Sequence, residues 1–494
     1  MRKVPTVVGY RLLGGVGAAL LAGAGLAVGA LPNGADAPWW SMLRHVAGPA
    51  LLCGYAGLTL LAAAWWWAGR DLRQGTRAAR LDLRHGTRAG RFDLRQGAPA
   101  ARLDRRSAAL TLACWAGPLL VCPPMFSRDA YSYLAQGAMV LADIDVYRHG
   151  VAALGGGLAG EVPQMWQHTP APYGPVFLAL AGGVSAATGG KLVLGVLALR
   201  LVALAGVALL VGYLPRLARH CGVDPAAALW LGVLNPLVPL HLIAGAHNEA
   251  VMLGLLVAGI CLAFERRFGA AAALVTLAAL VKAPAVVGLV VVVSLAARHV
   301  GRRAAVGRTA GVAFGTAAAV TWATGIGYGW IGALGTPVYR HSWSISSALG
   351  RGVVRLGAAL GTDLGDTPMR LCLGLGLLAA LAAAGAAWWQ RRRLGPAYAL
   401  GLALAAVALL GPATRPWYAL WGLVLIAAAA PDGWARPVAA VGAVVLAFVA
   451  LPSGFGPDGA QAALAAAGVL VGLAAVGVLR LLAVPVRLAE AVAR

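Results

Sequence analysis

Charge is scarce in this sequence. Of 494 residues only 12% are charged, and 17 acidic side chains face 40 Lys and Arg. Polar sequence is scarce too: 60% of residues are hydrophobic and the mean hydropathy is +0.78. A soluble chain of this length would not need so apolar a surface. The period-two alternation of barrel strands is missing, which argues against a transmembrane barrel. There is no Walker A loop, dinucleotide fingerprint or HExxH helix. Neither a nucleotide cradle nor a protein-held transition metal is therefore expected, and no cofactor. The six cysteines, at 53, 114, 122, 221, 261 and 372, lack pairing or ligand spacing and read as small buried hydrophobes.

What is present is a succession of apolar runs, such as Leu192–Tyr213 and Ala462–Leu482, long enough to cross a bilayer. In hydrocarbon every backbone polar group must be paired internally, so these runs are expected as helices. The fold class is an all-α polytopic membrane protein. Val8–Ala30 is too long for a signal-peptide core, lacks a convincing cleavage site, and reads as an anchor. The net charge of +23 sits mostly in short loops between apolar runs, as cytoplasmic loops do. Anionic membrane lipids, not nucleic acid, are the expected partners.

With a cytoplasmic N-terminus, the clusters Glu265-Arg-Arg267, Arg298–Arg308 and Arg391-Arg-Arg393 all fall inside, and about 13–14 crossings result. Four regions follow. Residues 1–69 are a transmembrane pair. Residues 70–106 are a basic linker, with eleven Arg, four Asp and an Asp-Leu-Arg motif recurring every eleven residues. Residues 107–430 form the core, with external loops at about 126–172 and 325–367. Residues 431–494 are a closing hairpin. Ala226–Ile243 is expected as one crossing, and Val176–Ala187, being short, as an interfacial or re-entrant segment.

This topology gathers the unusual polar residues at the external face: Arg128-Asp129, Asp145, His168, Tyr173, His247-Asn248-Glu249, Lys282, Arg340-His341 and Arg415-Pro-Trp-Tyr418. Ionisable groups beside membrane segments are costly and are functional candidates by default. Ser127 is placed to cap a helix running to about Leu141, with Tyr131 on its apolar face and Asp129, Tyr133 and Gln136 on another. Asp129 suits a general base or simply a helix-dipole partner. Asp143 and Asp145 suit Asx turns better than catalysis. His168–Pro175 is a rigid, proline-rich wall or a plain corner. The His247-Asn248-Glu249 trio serves helix packing or substrate contact. Lys282 and Arg415 serve as interfacial anchors or as phosphate ligands. Trp417 and Tyr418 serve as an aromatic belt or as sugar platforms.

Six stretches together resemble one family. They are Phe126-Ser-Arg-Asp-Ala-Tyr-Ser-Tyr-Leu-Ala-Gln-Gly137, Asp145-Val-Tyr-Arg-His-Gly150, His168-Thr-Pro-Ala-Pro-Tyr-Gly-Pro175, Gly245-Ala-His-Asn-Glu-Ala250, Lys282-Ala-Pro284 and Arg415-Pro-Trp-Tyr418. In this order they are similar to the actinobacterial polyprenol-phosphomannose-dependent α-1,6-mannosyltransferases, from about Ala108 to Ala430. Glu249 stands where that family usually carries Asp, and the basic repeat carries no family motif. The resemblance implies a GT-C-like bundle with a long first catalytic loop and interfacial helices. It implies an inverting transfer of mannose from a polyprenyl-phosphate sugar donor to a glycolipid acceptor, with Asp129 as base. Lys282, Arg415 and Arg340 would bind the donor phosphate. Arg128, Tyr131, Asp145, His168, Tyr173, His247, Asn248, Glu249, His341, Trp417 and Tyr418 would contact sugar or acceptor. A lipid or lipid-linked-sugar flippase is the competing reading, although the expected repeat of helical segments is missing.

The charge bias makes a direct prediction about sidedness. In a variant lacking native cysteines, a membrane-impermeant maleimide on intact cells should label Cys at position 143 and spare Cys at 392. The reverse pattern would invert the topology.

Overall fold

The computed structural model describes residues 7–33, 38–84, 103–335, 342 and 344–482. Regular structure among the described residues is entirely helical. Among the described residues six helices are long and apolar enough to cross a membrane: Val8–Val28, Ala47–Leu72, Leu192–His220, Ala283–Val300, Thr367–Trp389 and Gly459–Leu481. A bent pair, Val238–Ala244 with Glu249–Phe264, makes a seventh if counted as one span. Further apolar helices, such as Phe268–Val281 and Pro396–Leu410, are shorter. At 1.5 Å per residue their 14 or 15 residues rise only ~21–23 Å, against about 30 Å of hydrocarbon.

Pro175–Thr188 is one such 14-residue helix, packed along Asp129–Leu141. The basic segment differs from a plain linker at its start, because Ala47–Arg84 is one continuous helix through the first two Asp-Leu-Arg motifs. Residues 85–102 lie outside the described residues. The segment Ala226–Ile243 is not a single crossing. Its α-helix stops at Gly232, and Asn235 takes over the backbone groups at the break, accepting from the Leu237 N–H and donating to the Leu231 carbonyl. Pro236 and Pro239 cannot donate into a helical ladder, so the chain continues as the π-helical turn Val238–Ala244 and then bends by 112°. The expected external loop near 325–367 contains the helix Ile345–Ala359, whose Ile345, Leu349, Val353 and Leu356 form an exposed apolar stripe. Such a stripe suits a helix lying in the membrane interface.

Val7–Val28, Ala47–Arg84 and Gly459–Leu482 pack as one unit through small residues. A Cβ on Gly17 would lie 2.5 Å from the Gly57 carbonyl, and one on Gly468 2.3 Å from that of Leu52. Such close backbone approach is how helices associate in lipid. Trp65 and Trp230 stack at 4.8 Å and each donates its indole N–H to the other's carbonyl at 2.9 Å, joining this unit to the core.

The same unit holds the start of the first long loop. The Ala30 N–H donates to the Pro124 carbonyl, and the Phe126 N–H to the Pro452 carbonyl, both at 2.8 Å. Phe126 has φ +65, a conformation that costs a bulky residue energy. Gly454, at φ +90, lets the closing hairpin press against Ser127.

Gly17→Ala should lower the unfolding midpoint in detergent, since overpacking typically costs about 1–3 kcal/mol. Gly23→Ala, with nothing within 4 Å of its added Cβ, should be neutral or stabilising. Equal behaviour of the two would refute this packing.

Candidate active site

The site begins with the Asp129–Leu141 helix. Ser127 Oγ accepts the Asp129 N–H at 3.0 Å and opens the helix. Tyr133 and Gln136, one and two turns on, are buried on the side that Asp129 shares. Asp129 keeps 28% of its side chain exposed and lines a cleft. His247 is fully buried behind it, with Nδ1 3.5 Å from Asp129 Oδ2 and 3.4 Å from Tyr133 Oη. The imidazole stacks on Trp417 at 3.9 Å. Asp129 thus faces outward while a ring fixed from two sides holds it in place.

A second group sits beside this one. Gly174 puts backbone against backbone: a Cβ there would lie 2.2 Å from the Leu280 carbonyl. This brings the proline-rich wall against the turn that carries Lys282. The Lys282 ammonium pairs with the fully buried Glu249 carboxylate. It also lies over three rings, 4.5 Å from the centroid of Tyr418 and 5.7 Å from those of Tyr173 and Trp421. Burial works against the lysine charge, but Glu249, joined by Tyr418 and Asp129, outweighs it and raises the Lys282 pKa above its ordinary value. Burial, reinforced by Asp129, likewise pushes the Tyr173 phenol well above its ordinary value, so its O–H stays a donor. Arg415 lines the same cleft as Asp129 and has no ion-pair partner among the described residues. Ser342 steadies it by accepting the Thr414 N–H at 2.9 Å.

Buried polar atoms without a protein partner concentrate here. They belong to Gln136, His247, Asn248, Glu249, Trp417 and Trp421. Native proteins satisfy nearly all such groups, so a cluster of exceptions marks a place where a polar ligand or solvent completes the bonding.

The comparisons with known proteins bear on this same region. The sequence model for the N-terminal domain of alpha-(1->6)-mannopyranosyltransferases matches residues 11–298, and that of the MptB C-terminal domain matches 346–481. The chain belongs to the alpha-(1->6)-mannopyranosyltransferase family. It is 39% identical over 362 residues to a Mycolicibacterium smegmatis protein named as a probable alpha-(1->6)-mannopyranosyltransferase, covering 64% of each chain. It is 36% identical over 403 residues to an alpha-(1->6)-mannopyranosyltransferase of Mycobacterium tuberculosis, covering 68% of this chain and 67% of that one. It is 32% identical over 368 residues to alpha-(1->6)-mannopyranosyltransferase A of Corynebacterium glutamicum, covering 70% of this chain and 75% of the relative. The alignments thus span about two thirds to three quarters of these relatives' length. No solved structure matches the chain.

Of the residues singled out in the sequence, the fold gathers Asp129, Tyr173, His247, Asn248, Glu249, Lys282, Arg415, Trp417 and Tyr418. Four others point elsewhere. Arg128 donates to the Leu31 carbonyl at 2.8 Å and pairs with Glu161 at 3.1 Å. Tyr131 donates its hydroxyl to the Ala30 carbonyl at 2.6 Å. Both tie the loop to the end of the first helix. Asp145 accepts the Tyr147 N–H at 2.9 Å, an Asx turn, and lies 3.4 Å from Arg148. His168 caps a one-turn helix at the surface. Arg340 and His341 lie outside the described residues.

The fold also brings in Trp166, Trp421 and Ser342, which sequence reasoning passed over. Tryptophans are common in apolar chains, and a serine in a loop carries no signal. His220, Cys261 and Glu265 bring ligand-type atoms within 4.8 Å of one another at the far end of the Glu249–Phe264 helix. Glu265 there is already paired with Arg216 at 2.7 Å, so the group is an ion-pair cluster.

Removing one partner of a buried ion pair strands the other, at a cost of about 3–5 kcal/mol. Glu249→Leu and Lys282→Met should each lower the unfolding midpoint, while the two combined should recover most of the loss. Simple additivity of the single effects would show that the pair is not coupled.

Proposed function

We propose that this protein is an inverting membrane glycosyltransferase. It moves a mannosyl unit from polyprenyl-phosphate-mannose to a hydroxyl of a glycolipid or lipid-linked mannoside, forming an α-1,6 linkage at the extracytoplasmic face. The observation that carries this reading is a partly exposed carboxylate, Asp129, and a guanidinium without an ion-pair partner among the described residues, Arg415, lining one cleft. Membership of the mannopyranosyltransferase family supplies the sugar and the linkage.

The chemistry follows from the placement of charge. Asp129 takes the proton of the acceptor hydroxyl as that oxygen attacks C1 of the donor. The bond from C1 to the phosphate oxygen breaks, configuration inverts, and polyprenyl phosphate leaves carrying the electron pair. His247, supported by Trp417, keeps Asp129 aimed. The leaving phosphate needs positive charge close by. Lys282 has its charge matched by Glu249, whereas Arg415 has no ion-pair partner among the described residues and offers a forked donor set that suits phosphate. Arg415 is therefore assigned the larger share of phosphate stabilisation and Lys282 a supporting one. Trp166, Trp417 and Tyr418 line the cleft, and aromatic side chains suit contact with a sugar ring.

Reconstituted protein given polyprenyl-phosphate-[¹⁴C]mannose and a glycolipid acceptor should produce labelled glycolipid. Asp129→Asn should lower kcat by about 10²–10⁴-fold, the usual worth of a general base, with donor KM little changed. Wild-type turnover in Asp129→Asn would remove the base assignment. Lipid movement across vesicles without sugar transfer would favour a flippase.

A further inference from the structure

The Leu192–His220 helix carries one buried cation that the mechanism above does not use. Arg200 is 1% exposed, and no carboxylate pairs with it among the described residues. Burying a guanidinium within a membrane helix is expensive, and it persists only where specific acceptors or a function repay it. Its acceptors here are four backbone carbonyls. Nη1 donates to Leu120 at 2.7 Å and to Cys122 at 2.6 Å. Nη2 donates to Pro123 at 3.2 Å and to Ala244 at 2.8 Å.

Those carbonyls belong to two chain segments that meet nowhere else in sequence. Leu120–Pro123 leads into Phe126 and Asp129, and Ala244 leads into Ala246 and His247. Each segment then passes through a left-handed residue that is not glycine, Phe126 at φ +65 and Ala246 at φ +52. Such residues hold their conformation only when their surroundings over-determine it, and they recur at functional sites. Arg200, bonded to both segments, is a planar fork with fixed donor directions, which sets their separation as well as their attachment.

We propose that Arg200 is a positioning residue for the transfer reaction. Its guanidinium clamps the segment before Phe126 to the segment before His247, and so sets the distance and angle between Asp129 and the imidazole that aims it. The inference rests on the function proposed above for its kinetic consequence, while the clamp itself is a statement about two loops.

The test uses the full chain in nanodiscs, with Arg200→Met, which keeps bulk but no donors, and Arg200→Lys, which keeps the charge and part of the donor set. Hydrogen exchange should show faster amide exchange at 126–129 and at 245–249 together in Arg200→Met, with the rest of the Leu192–His220 helix unchanged. Arg200→Lys should fall between wild type and Met. Turnover should drop by about 10–100-fold, the scale of a misplacement near 1 Å, with donor KM nearly constant. Adding Arg200→Met to Asp129→Asn should slow transfer no further, because the clamp acts through that carboxylate.

Wild-type exchange and turnover in Arg200→Met would overturn the proposal. So would additive slowing in the double variant, or protection lost evenly across the bundle in both single variants, which would make Arg200 a general packing group. If Arg200→Met does not fold, Arg200→Lys carries the same exchange and KM-against-kcat readouts. If the two loops loosen as expected but wild-type protein transfers no mannose, the clamp stands and the proposed function falls.

Discussion

The buried contact between Lys282 and Glu249 is the interaction on which the site depends. Neither group is tolerable alone at that depth, because an isolated charge out of water costs several kcal/mol. The pair fixes the turn after Phe268–Val281 to the start of Glu249–Phe264. Tyr173, and Tyr418 with Trp421, then close over the ammonium from two further parts of the chain. One ion pair thus sets the position of the proline-rich wall, the Arg415 turn and the bent helix junction. Its charges cancel locally, leaving Asp129 and Arg415 as the groups whose charge faces the cleft.

That division explains how two demands coexist. Membrane helices exclude charge, yet the proposed chemistry needs a carboxylate and a cation within reach of each other. The chain meets both by placing them where helices break. Asp129 opens a helix, His247 follows a bent π-helical turn, Lys282 ends a helix, and Arg415 precedes a short turn at Pro416. Chain ends of this kind expose backbone donors and acceptors that must be satisfied, and prolines and side chains such as Asn235 and Ser342 do so.

Much of this was legible in the sequence. Apolar runs become helices wherever the backbone has no other partner, so the segments from Val8 to Leu482 appear in order as helices. Polar residues in so apolar a chain stand out, and Asp129, Tyr173, His247, Lys282 and Arg415 could be named before their proximity was known. What stayed hidden depends on distance between remote residues. Ala226–Ile243 looks like one crossing until Asn235 and two prolines break it. Arg128 and Tyr131 sit within the same motif as Asp129, yet they turn away because Ala30 and Leu31 lie beside them. That Lys282 is already neutralised while Arg415 is not follows only from the fold. Arg200 was visible as a lone arginine in an apolar run, but its four carbonyl acceptors were not.

The bond from the Phe126 N–H to the Pro452 carbonyl sets an order of events in biogenesis. The loop bearing Asp129 emerges early in synthesis, but the segment that pins its first residue is made more than three hundred residues later. Until then the loop lacks one of the anchors that hold Phe126 in its left-handed conformation. A nascent chain at the translocon would therefore carry the motif without its finished geometry. The acid would be set in its final orientation only once the last hairpin had been inserted.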